Sequence, residues 1–304
     1  MVDFNRSPYS FLSEQQQETL PDFNKAVRLM SPYEDSTNST WLLETDSGRL
    51  VLKLCDLQWV EESTFWTGMR LLFDLHLPVQ MQKFDLVYGF INQHSPLSIP
   101  ALLAAGASCH EGMYPGYVMA EALAGKALTN DAVTDASVRD LARHLASLHA
   151  QQQSQWGSLA SADFTAELWP VRLRDSMLSL ASKQNFVAKE LLDAMTQQAL
   201  LCRPAVFSPI MPDLRWDQFL MHEGQLAALV DLDAFVWGPV EMEFVLLEYL
   251  LTADQWRIFT EQYQQYCPLP VLDIVRAPYR MMLFLMNVLG EKDVQKWMHA
   301  PHYL

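Results

Sequence analysis

Two aspartates set in a loop-and-hairpin pattern are the residues of this chain best suited to chemistry. Asp213 ends the stretch Phe207-Ser208-Pro209-Ile210-Met211-Pro212-Asp213 and is followed by Leu214-Arg215-Trp216-Asp217-Gln218. After Phe219-Leu220-Met221, a Glu223-Gly224-Gln225 turn sends the chain back through Leu226-Ala227-Ala228-Leu229-Val230 to Asp231-Leu232-Asp233. A hairpin here brings Asp231 beside the loop that holds Asp213 and Gln218. Phosphoryl transfer needs such a set: one carboxylate orients or deprotonates the attacking hydroxyl, while an amide and a second carboxylate hold Mg²⁺ against a triphosphate. The alternative is that Asp213, Asp217 and Asp233 only cap turns. A metal-dependent hydrolase using Asp231 and Asp233 is a more distant option, because no paired histidine ligands accompany them.

The flanking periodicities supply elements to hold this site. Residues 26–30, 41–44 and 49–54 read as strands, with Thr45-Asp46-Ser47-Gly48 as a tight turn between the last two. Helices are expected over 61–73 and 83–91, and two more strands over 99–103 and 116–120. Asp135 can cap a helix that carries Val138, Leu141, Leu145 and Leu148 on one face and ends near His149. A polar connection follows through Gln151 to Ser158, then two helices over 171–201 and others over 241–251, 254–266 and 271–289. Strands first and helices afterwards describe an α+β chain of two lobes, 1–122 and 123–304.

Met211-Pro212-Asp213 through Gln218, then Val230-Asp231-Leu232-Asp233, resembles the catalytic and metal loops of the aminoglycoside phosphotransferase and choline kinase-like family, where the first loop reads H-G-D-x-x-x-x-N. Tyr117-Val118-Met119-Ala120-Glu121 is similar to that family's hinge strand, and Leu141 to His149 to its helix ending in Leu-His. Gly238-Pro239-Val240-Glu241-Met242-Glu243 is similar to its G-D-P-x-x-D segment. The resemblance covers nearly the whole chain. It implies a bilobal protein kinase-like fold, with a small antiparallel β nucleotide-binding N-lobe and a larger, mainly helical C-lobe for catalysis and substrate. It also implies ATP and Mg²⁺, and a small-molecule hydroxyl as acceptor: an amino alcohol, a sugar or an aminoglycoside-like compound.

The same resemblance implies roles residue by residue. Asp213 is the base, and Gln218 and Asp231 hold Mg²⁺. Asp233 is either a further metal carboxylate or a loop cap. Lys53 contacts the α and β phosphates, Asn38 belongs to the phosphate-covering Ser36-Thr37-Asn38-Ser39-Thr40 loop, and Glu62 pairs with Lys53. Backbone groups of Ala120, Glu121 and Ala122 bind adenine, and Glu243 braces the catalytic loop. Met211 stands where the loop His belongs and Gln218 where the Asn belongs, which moves the amide oxygen one methylene outward. These departures keep a second reading open, a degenerate pseudokinase that binds nucleotide or a protein partner without turnover.

Composition narrows the classes further. The chain has 304 residues, half of them hydrophobic and 19% charged, enough to bury a substantial core. A formal charge of -15 argues against a nucleic-acid partner, which needs a basic face; it would also draw in a cationic acceptor, although most acidic cytoplasmic proteins are acidic only for solubility. Cys55, Cys109, Cys202 and Cys267 are too scattered for a zinc site or a disulfide framework. The N-terminal residues lack the apolar run of a signal peptide, and the apolar stretch 281–289 is too short to span a membrane. A cytoplasmic protein with no membrane partner is expected.

Overall fold

The computed structural model describes residues 7–29, 38–107, 116–184 and 187–304. Ser36 and Thr37 of the expected phosphate-covering loop, and Cys109, lie outside the described residues. In the first half of the chain the elements are α1 (Glu14–Thr19), β1 (Lys25–Leu29), β2 (Asn38–Thr45), β3 (Gly48–Cys55), α2 (Leu57–Glu62), α3 (Thr64–Phe73), α4 (Leu77–Gln80), α5 (Phe84–His94), β4 (Leu102–Ala107), β5 (Gly116–Glu121), β6 (Lys126–Ala127) and α6 (Asp135–His149). There follow β7 (Gln155–Ser158), β8 (Ser161–Thr165), α7 (Trp169–Ala181), α8 (Lys189–Ala199), β9 (Ser208–Ile210), β10 (Phe219–His222), β11 (Gln225–Leu229), β12 (Val236–Gly238), α9 (Val240–Leu250), α10 (Ala253–Tyr263), α11 (Arg276–Leu285) and α12 (Val294–Met298).

The chain divides into two compact units. One comprises residues 1–63, 76–89 and 100–123, the other residues 64–75, 90–99 and 124–304. This is more interleaved than the single boundary expected after residue 122. The aromatic side of α3 explains the exchange: Phe73 packs against Trp156 and Trp169, with ring centroids 6.4 and 5.8 Å apart, so α3 belongs to the second core.

The first unit is built on an antiparallel sheet of order β1-β2-β3-β5-β4. Because side chains alternate along a strand, its register sorts residues cleanly between faces. Trp41, Leu43, Leu52, Leu54, Tyr117 and Met119 bury one face together with Tyr9, Leu12 and Leu20. The opposite face carries two cross-strand rows, Val27-Leu42-Val51-Ala120-Leu102 and Leu29-Thr40-Lys53-Val118-Ala105. Beyond the second row, α4 and the turn after it close over Gly116, where an added Cβ would lie 2.9 Å from the Pro78 Cα.

The second unit holds the helices and two small sheets, β11-β10-β6 and β8-β7-β12-β9. The α6 helix starts as its sequence suggests but one residue earlier: Thr134, not Asp135, is the N-cap, in a reciprocal capping box with Ser137. The β7–β8 hairpin occupies what reads in sequence as a polar connection, and Trp156 within it is fully buried. Strands β9 and β12 pair directly, Gly238 opposite Ser208. A Cβ on Gly238 would meet Ile210 Cδ1 at 2.5 Å and Phe73 Cε1 at 3.3 Å. Gly238→Ala is therefore expected to destabilise the protein by about 1–3 kcal/mol through overpacking. Urea unfolding should show a lower midpoint at unchanged slope.

Candidate active site

The Asp213 loop leaves β9 through a tight turn in which the Leu214 N–H donates to the Met211 carbonyl at 3.0 Å. A short 3₁₀ turn over Trp216–Gln218 then leads into β10. The β10–β11 hairpin closes at Glu223 and Gly224, with φ of 51° and 81°. Two successive positive φ values are what a tight two-residue hairpin loop requires, and Gly224 supplies one without strain. The hairpin returns to Val230, whose N–H donates to the Gln218 carbonyl at 3.0 Å, and so sets Asp231 beside the Asp213 loop.

The loop is held from beneath by α9. Glu243 is fully buried, and its Oε1 accepts from the Met211 N–H at 2.7 Å. Its Oε2 lies 2.7 Å from His149 Nε2, at the end of α6, and His149 Nδ1 lies 2.9 Å from the Tyr263 hydroxyl on α10. With Glu243 accepting on both oxygens, His149 Nε2–H is the donor and Nδ1 accepts from Tyr263. Ser208 Oγ donates to the His149 carbonyl at 3.1 Å, which ties β9 to the same helix end.

Asp213 is partly buried, and its Oδ1 has no hydrogen-bond partner among the described residues. Burial and then the charge of Asp231 push its carboxyl up to about 7. The Arg215 guanidinium pulls it down, and Asp233 raises it further. Asp231 and Asp233 thus both oppose the charge of Asp213. Arg215 also bonds Asp217 Oδ1 through Nε at 3.2 Å.

In the first unit, the row of Val27, Leu42, Val51, Ala120 and Leu102 forms an apolar stripe, with Val27 39% exposed and Leu42 and Val51 half-buried. Lys53 is on the next row of that face, and Asn38 lies on the same face at the start of β2, opposite Cys55. At the end of β5, the Glu121 N–H donates to the Ala101 carbonyl at 2.9 Å and the Ala122 N–H to the Arg49 carbonyl at 3.0 Å. The next amide, Leu123 N–H, has no partner among the described residues.

No curated protein matches the chain. Residues 31–267 match the sequence model of the phosphotransferase enzyme family, more than half of the chain. The chain belongs to that family. It is an enzyme, a small-molecule phosphotransferase. Its fold is shared with a macrolide 2'-phosphotransferase from Brachybacterium faecium, at a TM-score of 0.61 and 13% identity over 97% of this chain and 99% of that one. A putative fructosamine-3-kinase from Haemophilus somnus gives a TM-score of 0.58 at 16% identity, covering 93% of each chain. A thermostable mutant of an aminoglycoside phosphotransferase, in ternary complex with AMP-PNP and hygromycin B, gives 0.58 at 15% identity over 91% of this chain and 90% of that one. The expected kinase-like α+β fold is the one observed.

Several residues of the phosphotransferase lie differently from the sequence expectation. Gln218 was expected to turn its amide to a metal. Instead its Oε1 accepts from the Arg215 N–H at 2.8 Å and its Nε2 donates to the Asp213 carbonyl at 3.1 Å, because the longer side chain reaches back onto its own loop. Glu62 is exposed at the end of α2, where it accepts from Gln58 Nε2 at 3.0 Å. Of the backbone groups expected to bind adenine, the N–H groups of Glu121 and Ala122 are engaged by Ala101 and Arg49. On α9, Glu243 and Glu248 are both buried and internally bonded, Glu248 to Arg276 and Arg280. Tyr263 was missed altogether; nothing in the sequence around it marks a tyrosine whose hydroxyl orients a histidine.

The residues expected to hold a metal also have a particular arrangement. Among the described residues, no group of three or more His, Cys, Asp or Glu side chains is arranged to hold a metal ion unaided. Magnesium does not need such a cage: it takes one or two carboxylates and completes its shell with water and substrate phosphates. Carboxylates set near one another, with Asp213 Oδ1 lacking a hydrogen-bond partner among the described residues, suit that requirement. No described helix is long and apolar enough to cross a membrane.

Proposed function

We propose that this phosphotransferase moves the γ-phosphate of ATP to a hydroxyl of a small molecule, an amino alcohol, a sugar or an aminoglycoside-like compound, with no nucleic acid or membrane involved. The observation that carries the reading is the Asp213 carboxylate, buried beside Asp231 and Asp233 on a loop fixed from both sides. Asp213 accepts the proton of the acceptor hydroxyl as its oxygen bonds to the γ-phosphorus and the bond from phosphorus to the bridging β-γ oxygen breaks, releasing ADP. The proton then leaves Asp213 to solvent. Asp231, with Asp233, would hold Mg²⁺, which neutralises charge on the phosphates when bound.

The nucleotide base has a suitable floor in the apolar row Val27-Leu42-Val51-Ala120, and an unspent hydrogen-bond donor in Leu123. Lys53 extends from the neighbouring row and supplies a point charge to the phosphates. Asn38 shares that face. The charge of -15 favours a cationic acceptor by long-range steering. Inactivity would favour the pseudokinase reading, and Met211 and the inward-turned Gln218 are the features behind it.

The deciding experiment is a thermal shift with ATP, with and without Mg²⁺, followed by ADP release in a screen of amino alcohols, sugars and aminoglycosides. ATP at about one hundred times its dissociation constant should stabilise the protein by about 2.7 kcal/mol, only when Mg²⁺ is present. Lys53→Met should weaken that binding about tenfold or more, a loss of about 1.4 kcal/mol. A protein that shows no nucleotide-dependent shift does not do this chemistry.

A further inference from the structure

We infer that Gln218 is a positioning residue that fixes the Asp213 loop against the segment after β11 that carries Asp231, and that it is not a ligand of the metal. This rests on the phosphotransferase reading above but concerns this chain's own residues. Gln218 is 2% exposed and makes three bonds to the backbone of the two segments that carry Asp213 and Asp231. Its Nε2 donates to the carbonyl of Asp213 itself, its Oε1 accepts from Arg215 N–H, and its carbonyl accepts from the N–H of Val230, the residue before Asp231. One residue therefore sets the backbone on both sides of the site.

The amide cannot serve both tasks at once. Turning Oε1 outward to a cation would strip the Arg215 N–H and the Asp213 carbonyl of their partners in a largely buried turn. The extra methylene that separates Gln from Asn lets the side chain reach back three residues to one partner and five to the other. Metal binding then falls to Asp231 and Asp233, in keeping with the small number of carboxylates that magnesium takes from a protein.

Two variants of the full chain separate a brace from a ligand. Gln218→Met keeps the length and removes the amide; Gln218→Glu keeps an acceptor for Arg215 N–H and adds a negative charge. Each would be measured for kcat, for Mn²⁺ half-saturation by electron paramagnetic resonance with and without ATP, and for amide hydrogen exchange across residues 213–218. A brace predicts that Gln218→Met lowers kcat about 10- to 100-fold, with Mn²⁺ half-saturation changed by less than about twofold. The Arg215 amide should exchange faster, and Gln218→Glu should bind Mn²⁺ no more tightly than the wild type.

The inference is overturned if Gln218→Met weakens Mn²⁺ about tenfold or more while exchange at Arg215 stays unchanged, or if Gln218→Glu tightens the metal. If the wild type itself shows no metal or nucleotide dependence, the proposed function fails. The exchange at Arg215 then still decides whether Gln218 braces the loop.

Discussion

Asp213→Asn is expected to lose phosphoryl transfer by about 10²- to 10⁴-fold and, in metal-free buffer, to be more stable than the wild type above neutral pH. The two effects share one cause. The carboxylate sits where burial, Asp231 and Asp233 all oppose its charge, so its proton is held up to about 7 in the folded protein and released near 3.8 when unfolded. Between those values the folded state binds the extra proton, and stability falls as pH rises. The penalty is absent below about pH 4 and complete above about pH 7. The displacement sets an upper limit of roughly 4 kcal/mol, with Asp231 and Asp233 sharing in the relief.

Asparagine carries no such penalty. Urea unfolding in EDTA at pH 5 and pH 8 should show the wild type losing stability across the interval and Asp213→Asn losing much less. Adding Mg²⁺ and ATP should flatten the wild-type dependence, because a cation favours the ionised carboxylates. A variant that is inactive but no more stable at pH 8 would show that Asp213 does not bear the strain of the site. The local charge would then be carried elsewhere, on Asp231 or Asp233.

The features that could be read from sequence are those set by short-range pattern. Short apolar runs between turn residues mark β2, β3 and β5, and Gly224 after Glu223 marks a hairpin that places Asp231 near Asp213, whatever roles the two play. Glu61 to Phe73 reads as one helix, but Ser63 divides it into α2 and α3, and only α3 joins the second core. The β7–β8 hairpin is hidden by Gly157 and by polar neighbours, although Trp156 is among the largest fully buried side chains.

Site details depend on direction, which residue type does not encode. A glutamine in the loop is compatible with a metal or with the backbone; only the fold shows that its amide meets Arg215 and Asp213. The hinge behaves in the same way. Which backbone amides stay unengaged there depends on strand pairing, since Arg49 and Ala101 take those of Ala122 and Glu121. Glu248 reads as surface acid on a helix, and the fold instead buries it under Arg276 and Arg280. Such pairings join residues far apart in the chain, and no local periodicity reports them.

Glu243→Ala should unfold or severely weaken the protein, whereas Glu243→Gln should be nearly tolerated, and the contrast follows from the hydrogen-bond polarity of one chain of groups. Removing the carboxyl strands Met211 N–H and His149 Nε2 inside a buried site, at a cost of about 3–5 kcal/mol. Glutamine can restore every bond by reversing direction. Its oxygen accepts from Met211 N–H, its amide donates to His149 Nε2, and the imidazole passes its proton to Nδ1 to donate to the Tyr263 oxygen. The expected cost is about 1 kcal/mol, with activity reduced far less than in Glu243→Ala. Tyr263→Phe tests the same polarity from the other end: with the wild-type carboxyl it removes a donor to Nδ1, and with Glu243→Gln it removes an acceptor. The two single changes should therefore be non-additive in a double-mutant cycle of urea unfolding. Strict additivity would mean that Tyr263 and Glu243 do not communicate through His149, and that the loop is held by the Glu243–Met211 bond alone.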